Sequence, residues 1–147
     1  MNTPTYQIVN NPEKLVFIFY SVSDEKIIKK EIAYTPLDES KIIYNLAFGD
    51  YSEEGDISDL SISNNQDLEK VLATLVKSME EFFSIRPNCL IYFTGSTETR
   101  TRLYRIVISN YMKDYDELFV IYGMLDDNFE IFKPDKNYNA FLISLKR

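Results

Sequence analysis

An α+β fold follows from three features of this chain. Apolar and polar residues form short strand-like runs over the first third, a wide apolar stripe at three- and four-residue steps follows Asn64-Asn65, and apolar strands bracket a second helical pattern after Phe93. The architecture they predict is a mixed, mainly antiparallel sheet with two helices on one face, ordered β-β-β-α-β-α-β-β, in a single domain over residues 1–147.

Leu15 to Val22 reads as a nearly continuous apolar strand, and Ser23-Asp24-Glu25 turns it into Lys26 to Tyr34, completing a hairpin. Thr35-Pro36-Leu37-Asp38 breaks the pattern before a third strand, Lys41 to Phe48, that stops at Gly49-Asp50. A short strand near Tyr6 to Val9 would precede this meander. Asn64 and Asn65 offer a cap and Asp67 a negative charge at a helix start, where unpaired N–H groups point outward. Leu68, Val71, Leu72, Leu75, Val76, Met79, Phe82 and Phe83 then line one helical face, and Arg86-Pro87 ends the helix. Cys89 to Phe93 is a short buried strand, a second helix runs from Ser96 or Thr97 to about Met112, and Leu118 to Leu125 is a further strand, an order that suggests a right-handed crossover between parallel neighbours. Asp126-Asp127-Asn128 turns into Phe129 to Phe132, and Ala140 to Leu145 adds an edge strand.

With 147 residues, 45% of them apolar, the chain can bury a core without staples, and 11 Tyr and 10 Phe make that core aromatic. A net charge of −7 argues against nonspecific binding to nucleic acid and against attraction to an anionic membrane. Cys89 is the only cysteine, so no internal disulfide forms. The first residues lack the basic and apolar regions of a signal peptide and no run approaches a membrane span, so the expected location is cytoplasmic. Histidine is absent, which removes serine-histidine and cysteine-histidine nucleophile systems and leaves catalysis to carboxylates, Lys, Tyr, Ser or Cys89. No cofactor follows from the sequence.

The junction Gly95-Ser96-Thr97-Glu98-Thr99-Arg100-Thr101-Arg102 carries the most chemistry. Backbone donors and dipole at a helix start favour an anion, and arginine adds a planar fork for carboxylate or phosphate. On a helical projection Arg100 falls within the apolar face, whereas Arg102 and Arg105 project to the other side. Two readings stand: Arg100 pairs with Asp50, Asp56 or Asp59 and ties an acidic loop to the fold, or Gly95, Ser96, Thr97 and Arg100 line an anion pocket with Arg102 at its rim. Gly95-Ser96-Thr97 lacks the lysine and spacing of a phosphate-binding P-loop. The loop from Asp50 to Ser61 imitates a calcium loop in part, but Ser61 stands where a bidentate glutamate is needed, which favours a solvated connector. Asp50, Asp56 and Asp59 could hold magnesium weakly. Cys89 reads as a buried structural thiol, Tyr92, Tyr104 and Tyr122 as half-buried packing, and Lys26, Lys29 and Lys30 as a solvated basic patch on one hairpin strand.

Taken together, Asn45-Leu46-Ala47-Phe48-Gly49-Asp50, Asn64-Asn65-Gln66-Asp67, Gly95-Ser96-Thr97, Arg100-Thr101-Arg102-Leu103-Tyr104-Arg105 and Tyr138-Asn139-Ala140-Phe141 make a recognisable set. The chain resembles a family of small bacterial proteins, typical of Bacteroidetes, classed as a domain of unknown function. The resemblance covers nearly the whole chain and implies a soluble single domain, with no transferable activity. Members often carry glycine where this chain has Gln66. The marking residues Asp50, Asn64, Asn65, Asp67, Gly95, Ser96, Thr97, Arg100 and Arg102 fall at strand ends and helix starts and are the candidate ligand-binding set.

The functional expectation is a small binding or interaction module that recognises a small anionic ligand or a protein partner through the arginine turn. The alternative is a metal-assisted or carboxylate-driven enzyme acting on a phosphate-containing substrate, with Asp50 as metal ligand or base and Arg100 stabilising charge. An exposed strand edge or aromatic patch would favour a homodimer.

Overall fold

The computed structural model describes residues 4–22, 27–50, 68–94, 101, 105, 108, 117–134 and 136–146. They belong to two compact units, one within Asn2–Thr35 and Leu46–Pro87 (the amino-terminal unit) and one within Pro36–Asn45 and Asn88–Arg147 (the carboxy-terminal unit). The elements in chain order are β1 (Val9–Asn10), β2 (Val16–Val22), β3 (Ile27–Pro36), β4 (Ile43–Asp50), α1 (Leu68–Ile85), β5 (Leu90–Phe93), β6 (Phe119–Leu125), β7 (Asn128–Ile131) and β8 (Ala140–Leu145). The sheet is mixed and mainly antiparallel: β4 and β5 are parallel, while β1–β2, β2–β3, β5–β8, β6–β8 and β6–β7 are antiparallel.

In the amino-terminal unit the order is β1-β2-β3-β4. Asn11 makes the turn into β2 by accepting the N–H groups of Leu15 and Val16 on its side-chain oxygen. Because neighbours across a ladder share a face, the pairs Phe17↔Ile32 and Phe19↔Lys30 set one buried face with Ser21 and Tyr34. Helix α1 covers it. Val71, Leu72, Val76, Met79, Phe82 and Phe83 are buried along the predicted stripe, each adding roughly 1.5–3 kcal/mol of transfer free energy. Polar Thr74 and Ser78 lie on that same face, and both are bonded. Thr74 donates to the Lys70 carbonyl and accepts the Tyr6 N–H, each at 2.8 Å. Ser78 donates to the Leu75 carbonyl at 2.7 Å, so the Tyr34 phenol, 2.8 Å away, is the donor in the Tyr34–Ser78 bond. Tyr34 stacks on Phe82 with ring centroids 4.7 Å apart, and burial pushes its pKa up against the smaller opposing effect of the Ser78 bond.

In the carboxy-terminal unit the order is β4-β5-β8-β6-β7. Several expectations are corrected here. Ala140–Leu145 is no edge strand but sits between β5 and β6, antiparallel to both. The parallel neighbours are therefore β4 and β5, whose intervening chain contains α1, and not the strands on either side of the second helical pattern. The two-helix order is also revised: among the described residues α1 is the one helix with defined bounds, while Thr101, Arg105 and Ile108 are individually helical. The described order is β-β-β-β-α-β-β-β-β. Lys30, 1% exposed opposite Phe19, does not belong to a solvated basic patch, and Cys89 is half-buried with its thiol 3.4 Å from the Lys41 carbonyl instead of fully enclosed.

Candidate functional site

The carboxy-terminal sheet carries one transverse row of paired residues beside the candidate site. Register places Phe93, Phe141, Gly123 and Glu130 side by side on β5, β8, β6 and β7, all on one face. Phe93 and Phe141 stack with centroids 5.1 Å apart. Gly123 leaves a gap in the row that the ring of Tyr138 fills, for a Cβ on Gly123 would overlap the Cγ, Cδ1 and Cδ2 atoms of that ring. Tyr138 is fully buried, its ring 5.4 Å from Phe132 and 6.4 Å from Phe141.

Both ends of Tyr138 lead outward. Its hydroxyl donates to Glu130 Oε2 at 2.7 Å and accepts the Lys133 backbone N–H at 3.1 Å. Glu130 also meets Lys136 Nζ at 2.9 Å. The bond from Lys136, then that from Tyr138, hold the Glu130 carboxyl below its ordinary pKa, with desolvation acting the other way. At the backbone end, the Tyr138 carbonyl accepts a hydrogen bond from Arg105 Nη1 at 3.1 Å, and the next carbonyl, of Asn139, accepts one from Thr94 Oγ1 at 2.6 Å. Thr94 is the residue that leaves β5 just before Gly95. Arg105 is half-buried, and among the described residues no carboxylate lies within ion-pair distance of it. A guanidinium bonded to one carbonyl keeps further N–H donors in a planar fork.

Gly95, Ser96, Thr97, Arg100 and Arg102 lie outside the described residues, as do Asn64, Asn65 and Asp67; of Asp50 only its place as the last residue of β4 is described. The other acidic partners expected for Arg100, Asp56 and Asp59, fall outside them too. Among the described residues no group of three or more Cys, Asp or Glu side chains gathers as a metal site would.

Comparison with known proteins gives one result. The family described as Family of unknown function (DUF6934) matches residues 2–146. The chain belongs to this family. No curated protein and no solved structure matches it. Every residue of the Gly123–Tyr138–Glu130–Arg105 cluster lies within the span of the family.

Three members of this cluster, Gly123, Arg105 and Glu130, are not in the candidate ligand-binding set read from the sequence. Gly123 is legible as an isolated glycine within an apolar strand, the mark of a close approach. A helical projection puts Arg105 on the polar side of its helix, and its actual partner is a backbone carbonyl 33 positions away, which helical geometry cannot forecast. Glu130 alternates with exposed Phe129 and Ile131, which places it on the opposite face, but only the sheet register puts it beside Gly123.

Proposed function

We propose that this chain is a small, single-domain, cytoplasmic binding or interaction protein that recognises an anionic group, on a small ligand or on a protein partner, at the turn between β5 and the following helical residues. Gly95, Ser96 and Thr97 would supply backbone and hydroxyl donors, and Arg100 and Arg102 positive charge. The observation that carries this reading is Arg105, a half-buried helical arginine with its guanidinium on the Tyr138 carbonyl and no described carboxylate partner. That bond fixes the orientation of the fork, and Thr94 on Asn139 fixes the strand end from which the turn departs. Asp50, Asn64, Asn65 and Asp67 are proposed as ligand-binding candidates of the amino-terminal unit by itself.

Inorganic phosphate is the probe. Saturable thermal stabilisation of the parent protein, lost in Arg105→Gln and in Arg100→Gln while circular dichroism is unchanged, is expected. No saturable stabilisation, or equal stabilisation in all three proteins, would remove the anion site.

A further inference from the structure

Among the described residues β7 ends the strand order of the carboxy-terminal unit, and its hairpin shows which backbone groups face away from the sheet. The turn is a tight two-residue one, with Asp126 and Asp127 at φ 52° and 65°, the left-handed pair of a type I′ hairpin. Phe132 donates its N–H to the Ile121 carbonyl, so, stepping by two along the ladder, Glu130 and Asn128 face β6 with their backbone groups. Phe129 and Ile131 therefore point theirs away from the sheet. Their side chains are 43% and 65% exposed, and they lie on the face that carries half-buried Tyr122, Met124 and Leu142. Natural edges are commonly blunted by lysine, proline or a bulge. The four residues of β7 contain none of these, and the one charge, Glu130, is held on the opposite face by Lys136 and Tyr138.

From this we infer that β7 pairs antiparallel with β7 of a second copy of the chain about a two-fold axis. One register fits. With Phe129 opposite Ile131 of the partner copy, both outward N–H and both outward C=O groups of each strand are matched, and an aromatic ring meets a β-branched side chain on the apolar face. Centring the axis on Ile131 would instead set Phe129 against Lys133, whose N–H is already given to the Tyr138 hydroxyl. The chosen register brings the two Glu130 residues opposite each other on the other face, and the Lys136 of each copy, 2.9 Å from its own Glu130, balances them. The self-matching edge selects a second copy as the occupant, and the Glu130–Lys136 pair within each copy offsets the like-charge contact. Four residues per strand make a small contact beside the ~1,000 Å² of stable interfaces, so association is reversible and concentration-dependent.

The test is sedimentation velocity over a wide concentration series, with amide hydrogen exchange on the same samples. The parent protein is expected to shift from monomer to dimer as concentration rises, with exchange slowing at the Phe129 and Ile131 amides and unchanged at Glu130, which already donates within the hairpin. Ile131→Lys and Phe129→Lys, both at exposed positions, are expected to lose the dimer and keep the monomer's circular dichroism. A parent that stays monomeric throughout would overturn the inference. So would a dimer in which the Phe129 and Ile131 amides exchange as fast as in the monomer, or one that both lysine variants retain.

Discussion

Tyr34 and Tyr138 are both buried phenols, one in each unit, and they are used in opposite ways. Tyr34 ends its polarity inside the core: its proton goes to Ser78, whose own proton goes to a carbonyl of the same helix, and aromatic rings close around the pair. Tyr138 does the reverse. Its ring completes a core row over Gly123, while its hydroxyl reaches a charged pair at the rim and its carbonyl holds Arg105. A buried hydroxyl satisfied within the core serves packing alone; one that bridges core and rim lets the rigidity of the core set the geometry of surface charges.

The largest effect that breaks this comparison is expected from Tyr138→Ala, at about 3–5 kcal/mol of stability, because it empties a fully buried aromatic site. Gly123→Ala should cost about 1–3 kcal/mol by overpacking against the ring. The two must interact: in a double-mutant cycle followed by denaturant unfolding, Gly123→Ala is expected to lose most of its cost once Tyr138 is alanine. Additive costs would mean that the glycine is not there for the ring.

Smaller effects sharpen the contrast. Tyr34→Phe should cost about 1 kcal/mol, since Ser78 keeps its bond to Leu75 when the phenol is removed. Its signature lies at high pH. The folded state raises the Tyr34 pKa, so the stability it contributes is complete below the unfolded phenol value of about 10 and is lost as pH rises through the folded value. Alkaline unfolding followed by circular dichroism should therefore be shallower in Tyr34→Phe. Glu130 behaves oppositely. Its pKa is lowered, so its contribution is present above the unfolded value of about 4.3 and is lost as pH falls through the folded one. Glu130→Gln should flatten the acid limb and leave the alkaline limb unchanged.

Much of this is legible in the chain where the signal is local. The stripe of α1 and the bounds of the last strand, Ala140–Leu145, agree with the structure because helical period and strand length are read from neighbouring residues. The place of that strand differs from the edge position expected, although Ala-Phe-Leu-Ile-Ser-Leu is nearly apolar throughout, as a strand flanked on both sides should be. Lys30 carries a signal as well: stepping back by two from Tyr34 and Ile32 lands on it, so its burial follows the strand period and not its charge. Gly123 announces a close approach but not which ring makes it, and Arg105 does not announce its carbonyl at all. Both depend on pairings between distant segments, which a single sequence does not encode locally.

NMR of the Arg105 guanidinium during a phosphate titration separates an arginine that Tyr138 holds for an anion from one that only bonds a carbonyl. A saturable shift of the Arg105 Nε–H signal is expected in the parent protein, with a weakened response in Gly123→Ala, where the Tyr138 carbonyl is displaced. An Arg105 signal that stays unchanged up to high phosphate, in a protein that remains folded, would contradict anion recognition by Arg105.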